Sequence, residues 1–417
     1  MYVHTQRLHS ILDLAEEIVS SLDNLVDCWV SGDTSLNRQN VADKVTAETA
    51  LLLWLASRLG MPRGIADQAN RIAKSLVPYA RTARHLEIMA NAPQAVAGAA
   101  FAHVLLQDMG IRDERFAASV NSAFSSKFAR AADRPNFRQL EFLWLEGLHT
   151  GARPAFEEAK AGSTILRPCN PIYMRREEAY AITHAAMYLT DFGRNSDETF
   201  IAASTISRFV DNCVAWCIST SDWDLLGEVL ITAEVCHCGS SAYTSMAERL
   251  LEDLVTIHGV VPGPNYKVEE HQTRSGSDGR NYLLVHGYHS TFVYGILCCI
   301  RLVDADCDAR AVLHDAASWL AFPCEYKAWL RGASSAPLLR KADQLQCEVL
   351  ANAALISACR EGRYVEVLER LERELPGSGE SLSDTRHAAT EHVLQAVRAA
   401  TYDREPSSRH AALVSSL

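Results

Sequence analysis

The sequence predicts an all-α protein, and three observations support this fold class. Apolar residues recur at spacings of three and four along nearly the whole chain, as between Leu8 and Trp29. An alternating apolar and polar pattern, which would indicate strands, persists nowhere. The 417 residues are 48% hydrophobic and 22% charged, which is typical of a globular protein with a large core.

The predicted helices follow one another with mostly short connections. The first spans 8–29, where Ile11, Leu14 and Ile18 lie on one face. Glycine and proline separate the later runs, as in Gly60-Met61-Pro62, because they end helices. The later runs are 40–59, 63–76, 94–108, 114–130, 137–149, 174–192, 198–218, 222–238, 242–257, 285–303, 308–321, 338–359, 363–373 and 383–401.

About fifteen helices with short connections predict antiparallel helical hairpins, packed as a closed α/α toroid or as an open superhelix. No strict repeat favours a regular superhelix, whereas a toroid tolerates irregular helix pairs and gathers polar residues around a central cavity. We therefore predict a toroid. It forms one domain over 1–401 that can include an N-terminal helical subdomain over 1–160, followed by a flexible tail over 402–417.

Charge and composition exclude several classes of protein. The net charge of −11 and the lack of a run rich in Lys and Arg argue against nucleic-acid binding. The first residues do not resemble a signal peptide, and no apolar run reaches the roughly 20 residues that span a bilayer. We expect a cytoplasmic protein without membrane contact. Its 12 cysteines lie mainly in apolar helical runs and are predicted to be buried thiols.

Two stripes of aromatic and ionisable residues are candidates for a site. The first is Tyr180, His184, Tyr188 and Asp191, whose steps of four, four and three place them on one helical face. A histidine and a carboxylate on one face can bind a metal ion, or the carboxylate can orient a catalytic imidazole. The alternative is a buried histidine that only makes structural hydrogen bonds.

The second stripe begins at His286 and includes Tyr288, His289 and Tyr294. Imidazole binds metals and transfers protons near neutral pH, so a pair of histidines three residues apart indicates chemistry. Tyr188 or Tyr294 could then donate a proton.

Each stripe follows an unusually long irregular segment. These segments are 161–173, which contains Arg167, and 260–282. Long loops in compact domains are commonly lids or binding loops, although both segments could be solvated insertions. We predict from this shared arrangement that His184 and His289 face one cavity.

The helix over 222–238 carries further carboxylates. Asp224, Glu228 and Thr232 recur every four residues and form a polar face. The preferred interpretation of Asp222 and Asp224 is that they complement the helix N-terminus, where negative charge is stabilising. Glu228 lies in mid-helix among apolar residues and is a candidate metal ligand. The three residues Cys236-His237-Cys238 point about 100° apart, so they cannot all bind one ion.

Local resemblances also point to a toroid. The segment from Tyr288 to Ile296, which contains His289-Ser290-Thr291, resembles the part of protein prenyltransferase β subunits where a histidine supplies a zinc ligand. Cys236-His237-Cys238-Gly239 is similar to the zinc segment of lanthionine cyclases, which are also α/α toroids. Segments 180–193, 222–226 and 289–291 together resemble uncharacterised bacterial helical proteins that accompany natural-product pathways.

These observations predict a metal-assisted enzyme, a lyase, cyclase, hydrolase or transferase, acting on a small or carrier-tethered metabolite in a biosynthetic pathway. Zinc or iron would polarise a carbonyl or activate water. The predicted metal ligands are His184, Asp191, Glu228, His286 and His289. The predicted catalytic residues are His184, Tyr188, His289 and Tyr294, and the predicted substrate-binding residues are Tyr180, Arg167 and Tyr288.

Two alternatives remain open. In one, no metal takes part and His289 acts as a general base, oriented by a carboxylate, in a cyclisation or elimination. In the other, the protein is a non-catalytic helical scaffold that binds a peptide or protein partner.

Overall fold

A computed structural model of the chain describes residues 2–32, 37–195, 201–303, 344–372 and 380–402. These residues form nineteen α-helices and two 3₁₀ turns, and none of them lies in a strand. The predicted all-α fold class is confirmed.

The helices are numbered in chain order. The first ten are α1 Tyr2–Ser20, α2 Leu22–Gly32, α3 Arg38–Ala56, α4 Arg63–Ala80, α5 Ala83–Asn91, α6 Val96–Asp108, α7 Glu114–Phe124, α8 Lys127–Arg130, α9 Asn136–Thr150 and α10 Glu157–Ala161. The others are α11 Arg176–Leu189, α12 Ala203–Thr220, α13 Trp223–Val235, α14 Ala242–His258, α15 Val268–Gln272, α16 Gly276–Val303, α17 Gln344–Arg360, α18 Tyr364–Glu372 and α19 Glu380–Tyr402.

Some boundaries differ from the predicted ones. The first predicted helix is divided between Ser20 and Leu22, and α5 was not predicted. Helix α16 begins at Gly276 instead of 285, because Asp278 and the polar residues around it form an exposed first part of the helix before its apolar part begins. The predicted helix 308–321 and the tail beyond Tyr402 lie outside the described residues.

Six helices form a closed ring. Helices α3, α6, α9, α11, α13 and α16 pack against one another in this order, and α16 returns to pack on α3. Other helices surround the ring: α4 packs on α3 and α6, α12 packs on α13, and α1 packs on α16. A closed ring of alternate helices inside an outer layer is the arrangement of an α/α toroid and not of an open superhelix.

Glycines allow α16 to approach its neighbours in the ring closely. A Cβ atom at Gly227 of α13 would lie 2.7 Å from Cγ1 of Val293, and one at Gly295 would lie 2.9 Å from Cδ1 of Leu52 in α3. Neither position has room for a larger side chain. The two contacts fix the position of α16 between α3 and α13, and His289 lies on this part of α16.

Helix α16 is the one helix of the described chain that is long and apolar enough to cross a membrane by length and composition. Its apolar window is 78% buried inside the protein. The contacts with α1, α3 and α13 account for this burial.

The C-terminal helices pack on the outside of the ring through buried polar contacts. The side-chain amide of Asn212 on α12 donates to Oδ2 of Asp384 on α19 at 2.9 Å, and the amide of Asn352 on α17 donates to Oδ1 of Asn212 at 3.0 Å. The segment 161–173 joins the same network, because Asn170 donates to Asp384 at 2.9 Å and the Tyr173 hydroxyl donates to the carbonyl of Ala388 at 2.8 Å.

Candidate functional site

Two adjoining cavities lie along the ring. The first, the apolar cavity, has a volume of about 530 Å³, and Leu51, Phe101, Met187, Phe292 and Ile296 form much of its wall. The second, the polar cavity, has a volume of about 1120 Å³ and is lined by residues of α2, α3, α11, α13 and α16 and by the segment 263–282.

The two cavities share six lining residues, which we call the junction. They are Lys44, Glu48, Arg138, His184, Glu228 and His289. All six are ionisable, and they come from five of the six ring helices. His184 and His289 therefore face the same cavities, as the shared arrangement of their helices and loops predicted.

His289 lies between two carboxylates. Its Nδ1 is 3.0 Å from Oε2 of Glu48 on α3, and its Nε2 is 3.1 Å from Oδ1 of Asp224 on α13. The hydroxyl of Tyr180 donates to the other oxygen of Asp224. The imidazole is 31% exposed, so a ligand in either cavity can reach it.

The two carboxylates raise the pKa of the His289 imidazole. Burial alone would lower the pKa of its imidazole, but the negative charges of Glu48 and Asp224 outweigh burial and keep that pKa well above its usual value. Burial would likewise raise the pKa of Asp224, but the charge of His289 and the hydrogen bonds to Asp224 lower it. The raised pKa favours the imidazolium form of the ring, which can give a proton to a ligand.

Several buried polar atoms of this group lack a hydrogen-bond partner. Among the described residues, no aligned hydrogen bond is made by Oε2 of Glu48, Oδ1 of Asp224 or Nδ1 of His289. The two carboxylate oxygens nevertheless lie about 3 Å from the imidazole nitrogens that face them. Buried polar atoms without partners are uncommon, and they concentrate where a ligand, a water molecule or a reaction supplies the missing partner.

A second histidine–carboxylate pair lies at the junction. Nδ1 of His184 is 3.3 Å from Oε2 of Glu228, and the hydroxyl of Thr183 donates to the same oxygen at 2.5 Å. Burial would lower the pKa of His184, but the charge of Glu228 raises it. Glu228 itself is buried at the middle of α13, where a carboxylate is stable only with such partners.

The predicted tyrosines of both stripes contribute to the cavity walls, with one exception. Tyr188 lines the apolar cavity, and Tyr180 and Tyr288 line the polar cavity. Burial, and then the charge of Glu141, raises the pKa of Tyr188; burial, and then the charge of Glu48, raises the pKa of Tyr288. Both phenols therefore stay protonated.

Tyr294 was predicted as a proton donor at this site, but the structure places it away from both cavities. It lines neither cavity and is buried near Glu252 and Arg7, on the opposite side of α16 from His289. The physical reason is helical geometry, because residues five apart point about 140° away from each other.

Asp191 also does not join the site. Helix α11 ends at Leu189, and Asp191 has a left-handed backbone with φ of 48°, so the helical spacing no longer applies. Its carboxylate accepts a hydrogen bond from the Trp144 indole at 2.8 Å and lies 3.6 Å from the Arg58 guanidinium. Its role is to hold these two side chains together.

The other predicted residues lie farther out. His286 lines the polar cavity but not the apolar one. It lies next to the ring of Tyr282, and burial lowers the pKa of its imidazole. Arg167 is exposed and lines neither cavity. The segment 161–173, which contains Arg167, packs against α19 and does not cover the ring. The other long segment, 260–282, does line the polar cavity, with Gly263, Lys267 and Arg274.

Several residues of the site were missed by sequence reasoning. Asp224 was assigned to the helix N-terminus together with Asp222, but only Asp222 caps the helix, by accepting a hydrogen bond from the Leu225 amide at 3.2 Å. Glu48 and Glu141 were not singled out at all. Their signal was a carboxylate next to apolar residues within α3 or α9, which is costly to bury without a partner.

Three of the five predicted zinc or iron ligands, His184, Glu228 and His289, line both cavities, whereas His286 lines only the polar cavity and Asp191 lines neither. Among the described residues, no three His, Cys, Asp or Glu side chains form a group that could hold a metal ion. Both nitrogens of His289 face carboxylates, and Asp191 points away from the junction. The zinc or iron ion stays a prediction, and we derive no chemical step from it.

Comparisons with known proteins identify a family. No curated protein and no solved structure was found that matches this chain. A family model described as a domain of unknown function, DUF6895, matches residues 15–299, which is more than half of the chain and includes every residue that lines either cavity. The chain belongs to the DUF6895 family.

Proposed function

We propose that this protein is an enzyme that transfers protons to and from a small molecule, with His289 as its general acid. The observation that carries the proposal is the position of the His289 imidazole, which lies about 3 Å from Glu48 and Asp224 and is open to two cavities. A general acid must be protonated at working pH and within reach of the substrate. The raised pKa of His289 and its position in the walls of both cavities support this role.

Stability alone does not explain this arrangement. Burying an ion triplet costs solvation energy, and apolar residues of similar size often stabilise a core as well or better. The unpartnered atoms of Glu48, Asp224 and His289 increase that cost. Perturbed ionisable groups in a cleft are typical of catalytic sites.

The reaction class follows from the two histidine–carboxylate pairs. A carboxylate such as Glu228 removes a proton from a carbon of the substrate, and His289 gives its proton to the migrating double bond or to a departing hydroxyl. The first outcome is an isomerisation and the second is an elimination of water. A cyclisation uses the same two transfers. In each case one proton is taken up and one is released, so the substrate needs no oxidant or second reactant.

This proposal keeps the metal-free alternative but reverses the role of His289, because a protonated imidazole acts as an acid and not as a base. We place the reaction in bacterial small-molecule biosynthesis, on the strength of the local resemblances. A purely structural scaffold would gain nothing from two cavities that meet at six ionisable residues.

The test is a screen for proton transfer. The native protein and His289→Gln are incubated in deuterium oxide with a panel of small carbonyl, alkene and alcohol compounds, and mass spectrometry follows deuterium incorporation and product formation. We expect the native protein to act on members of the panel and His289→Gln to lose about 100-fold or more in rate, the usual contribution of a general acid. A variant that keeps the native rate while remaining folded would exclude His289 as the acid.

A further inference from the structure

Each cation of the junction lies beside a carboxylate. Lys44 lies 3.7 Å from Glu48, and the Arg138 guanidinium donates to Glu141 at 2.6 Å. His184 lies 3.3 Å from Glu228, and His289 lies 3.1 Å from Asp224. With both imidazoles protonated, the four cations of the junction pair with its two carboxylates, Glu48 and Glu228, and with two carboxylates outside it, Glu141 and Asp224.

The outer part of the polar cavity shows the same pairing. Lys267 Nζ lies 2.6 Å from Glu270, Arg274 lies 3.0 Å from Asp278, and Arg176 donates to Asp222 at 2.5 Å. A site that recognises a phosphate or a carboxylate has cationic donors in excess of its own carboxylates. Every Lys and Arg side chain that lines the polar cavity lies beside a carboxylate, although two of these carboxylates, Glu141 and Asp222, do not line that cavity; none of these cations is left unpaired.

The apolar cavity also has space that no side chain fills. A Cβ atom built at Gly98 on α6 meets no other atom within 4 Å, and Ala95 and Ala99 line the cavity beside it. The opposite wall is aromatic: Tyr188 and Phe192 lie against Trp144, with ring centroids 5.3 and 5.6 Å apart. An apolar cavity of about 150 Å³ is enough to bind benzene, and this one is several times larger.

We propose that the substrate is an electrically neutral, mainly apolar molecule of two or three rings or an equivalent chain, with one neutral oxygen or double bond at the junction. Its apolar body lies in the apolar cavity against Gly98, and its reacting end lies at His289. This inference rests on the proposed function and specifies its substrate. A charged group would have to be desolvated without a free counter-charge, and that is costly.

The test uses two fluorescent probes with one skeleton. N-phenyl-1-naphthylamine is neutral, and 8-anilinonaphthalene-1-sulfonate is the same molecule with a sulfonate. We expect the neutral probe to bind the native protein about tenfold or more tightly than the sulfonate, because the site offers that anion no unpaired cation. Equal binding, or tighter binding of the sulfonate, would overturn the proposal.

Variants locate the bound probe. Gly98→Leu fills the space and is expected to weaken binding of the neutral probe about tenfold or more, because overlap with the new side chain removes contact area. Ala118→Leu is the matched control, since Ala118 is exposed on the neighbouring α7 and lines neither cavity. Ala95→Leu replaces Gly98→Leu if that variant does not fold. Unchanged affinity in a folded cavity-filling variant would contradict the assignment.

The outcome also separates this inference from the proposed function. Probe binding needs no proton transfer, so His289→Gln should still bind the neutral probe. Preference for the neutral probe without turnover of any neutral compound would leave a binding site for apolar molecules and remove the catalytic proposal. Turnover of charged compounds alone would retain the acid and overturn the substrate class.

Discussion

Nε2 of His289 lies 3.1 Å from Oδ1 of Asp224, and this ion pair joins α16 to α13 at the junction of the two cavities. The two residues are distant in sequence and belong to different helices of the ring. Their pairing makes the protonation state of one imidazole depend on how the ring closes.

The first prediction concerns pH. Because the folded-state pKa of His289 is raised, its pairing stabilises the protein fully below the unfolded value of about 6.5 and loses this effect as pH rises through the folded value. The difference in free energy of unfolding between native protein and His289→Gln should therefore be largest in acid and shrink in alkali. Denaturant unfolding from pH 5 to 9 measures it, and NMR should find the ring still protonated at pH 7. A difference that grows with pH would contradict the pairing.

The second prediction distinguishes two carboxylates that are two residues apart. Asp224→Asn removes one of the charges that hold the proton on His289, so the pKa of His289 should fall and proton transfer should slow about 100-fold. Asp222→Asn is the matched control. Asparagine can still cap the helix, so the free energy of unfolding should change by less than about 1 kcal/mol. NMR titration of His289 in both variants provides the readout, and equal shifts would show that Asp224 has no special role.

The third prediction is that His184 and His289 act as a unit. Each single substitution by glutamine should abolish most proton transfer with little effect on folding, and the double variant should be no slower than the slower single variant. Both imidazoles line both cavities, and this shared position is the reason for the expectation. Initial rates with a compound identified in the screen and circular dichroism of the three variants provide the check. Additive losses would indicate two independent sites.

The fourth prediction tests the packing that positions α16. Gly227→Ala places a methyl group against Val293, and overpacking of this kind typically costs about 1–3 kcal/mol of folding free energy. Adding Val293→Ala should recover part of that loss, because it removes the clashing methyl group. Gly98→Ala is the control, since its Cβ meets open space. If Gly227→Ala and Gly98→Ala changed stability equally in chemical denaturation, the close approach would be excluded.

The fifth prediction concerns metal. Both nitrogens of His289 face carboxylates, and among the described residues no three His, Cys, Asp or Glu side chains form a group that could hold a metal ion, so we expect dialysis against a chelator to leave both the melting temperature and proton transfer unchanged. Elemental analysis of protein purified without a histidine tag measures metal content directly. One equivalent of zinc or iron that is lost together with activity would favour the metal-assisted enzyme predicted from the sequence.

The sequence by itself determined the fold class and several local features. Helical periodicity depends on neighbours three and four residues away, so it identified the helices that carry His184, Glu228 and His289. The cap at Asp222 is equally local and was predicted. Glu48 and Glu141 each stand next to apolar residues in the sequence, and this local pattern indicates a carboxylate that is buried with a partner.

Tertiary structure alone decided which side chains meet. Asp191 left the stripe because the chain turns into a left-handed conformation after Leu189, and helical spacing does not predict where a helix ends within one or two residues. Tyr294 lies on the opposite face of α16 from His289. The partners of His289 come from α3 and α13, and their approach depends on ring closure through the contacts of Gly227 and Gly295. Contacts between distant helices depend on packing of the whole chain, which no local pattern encodes.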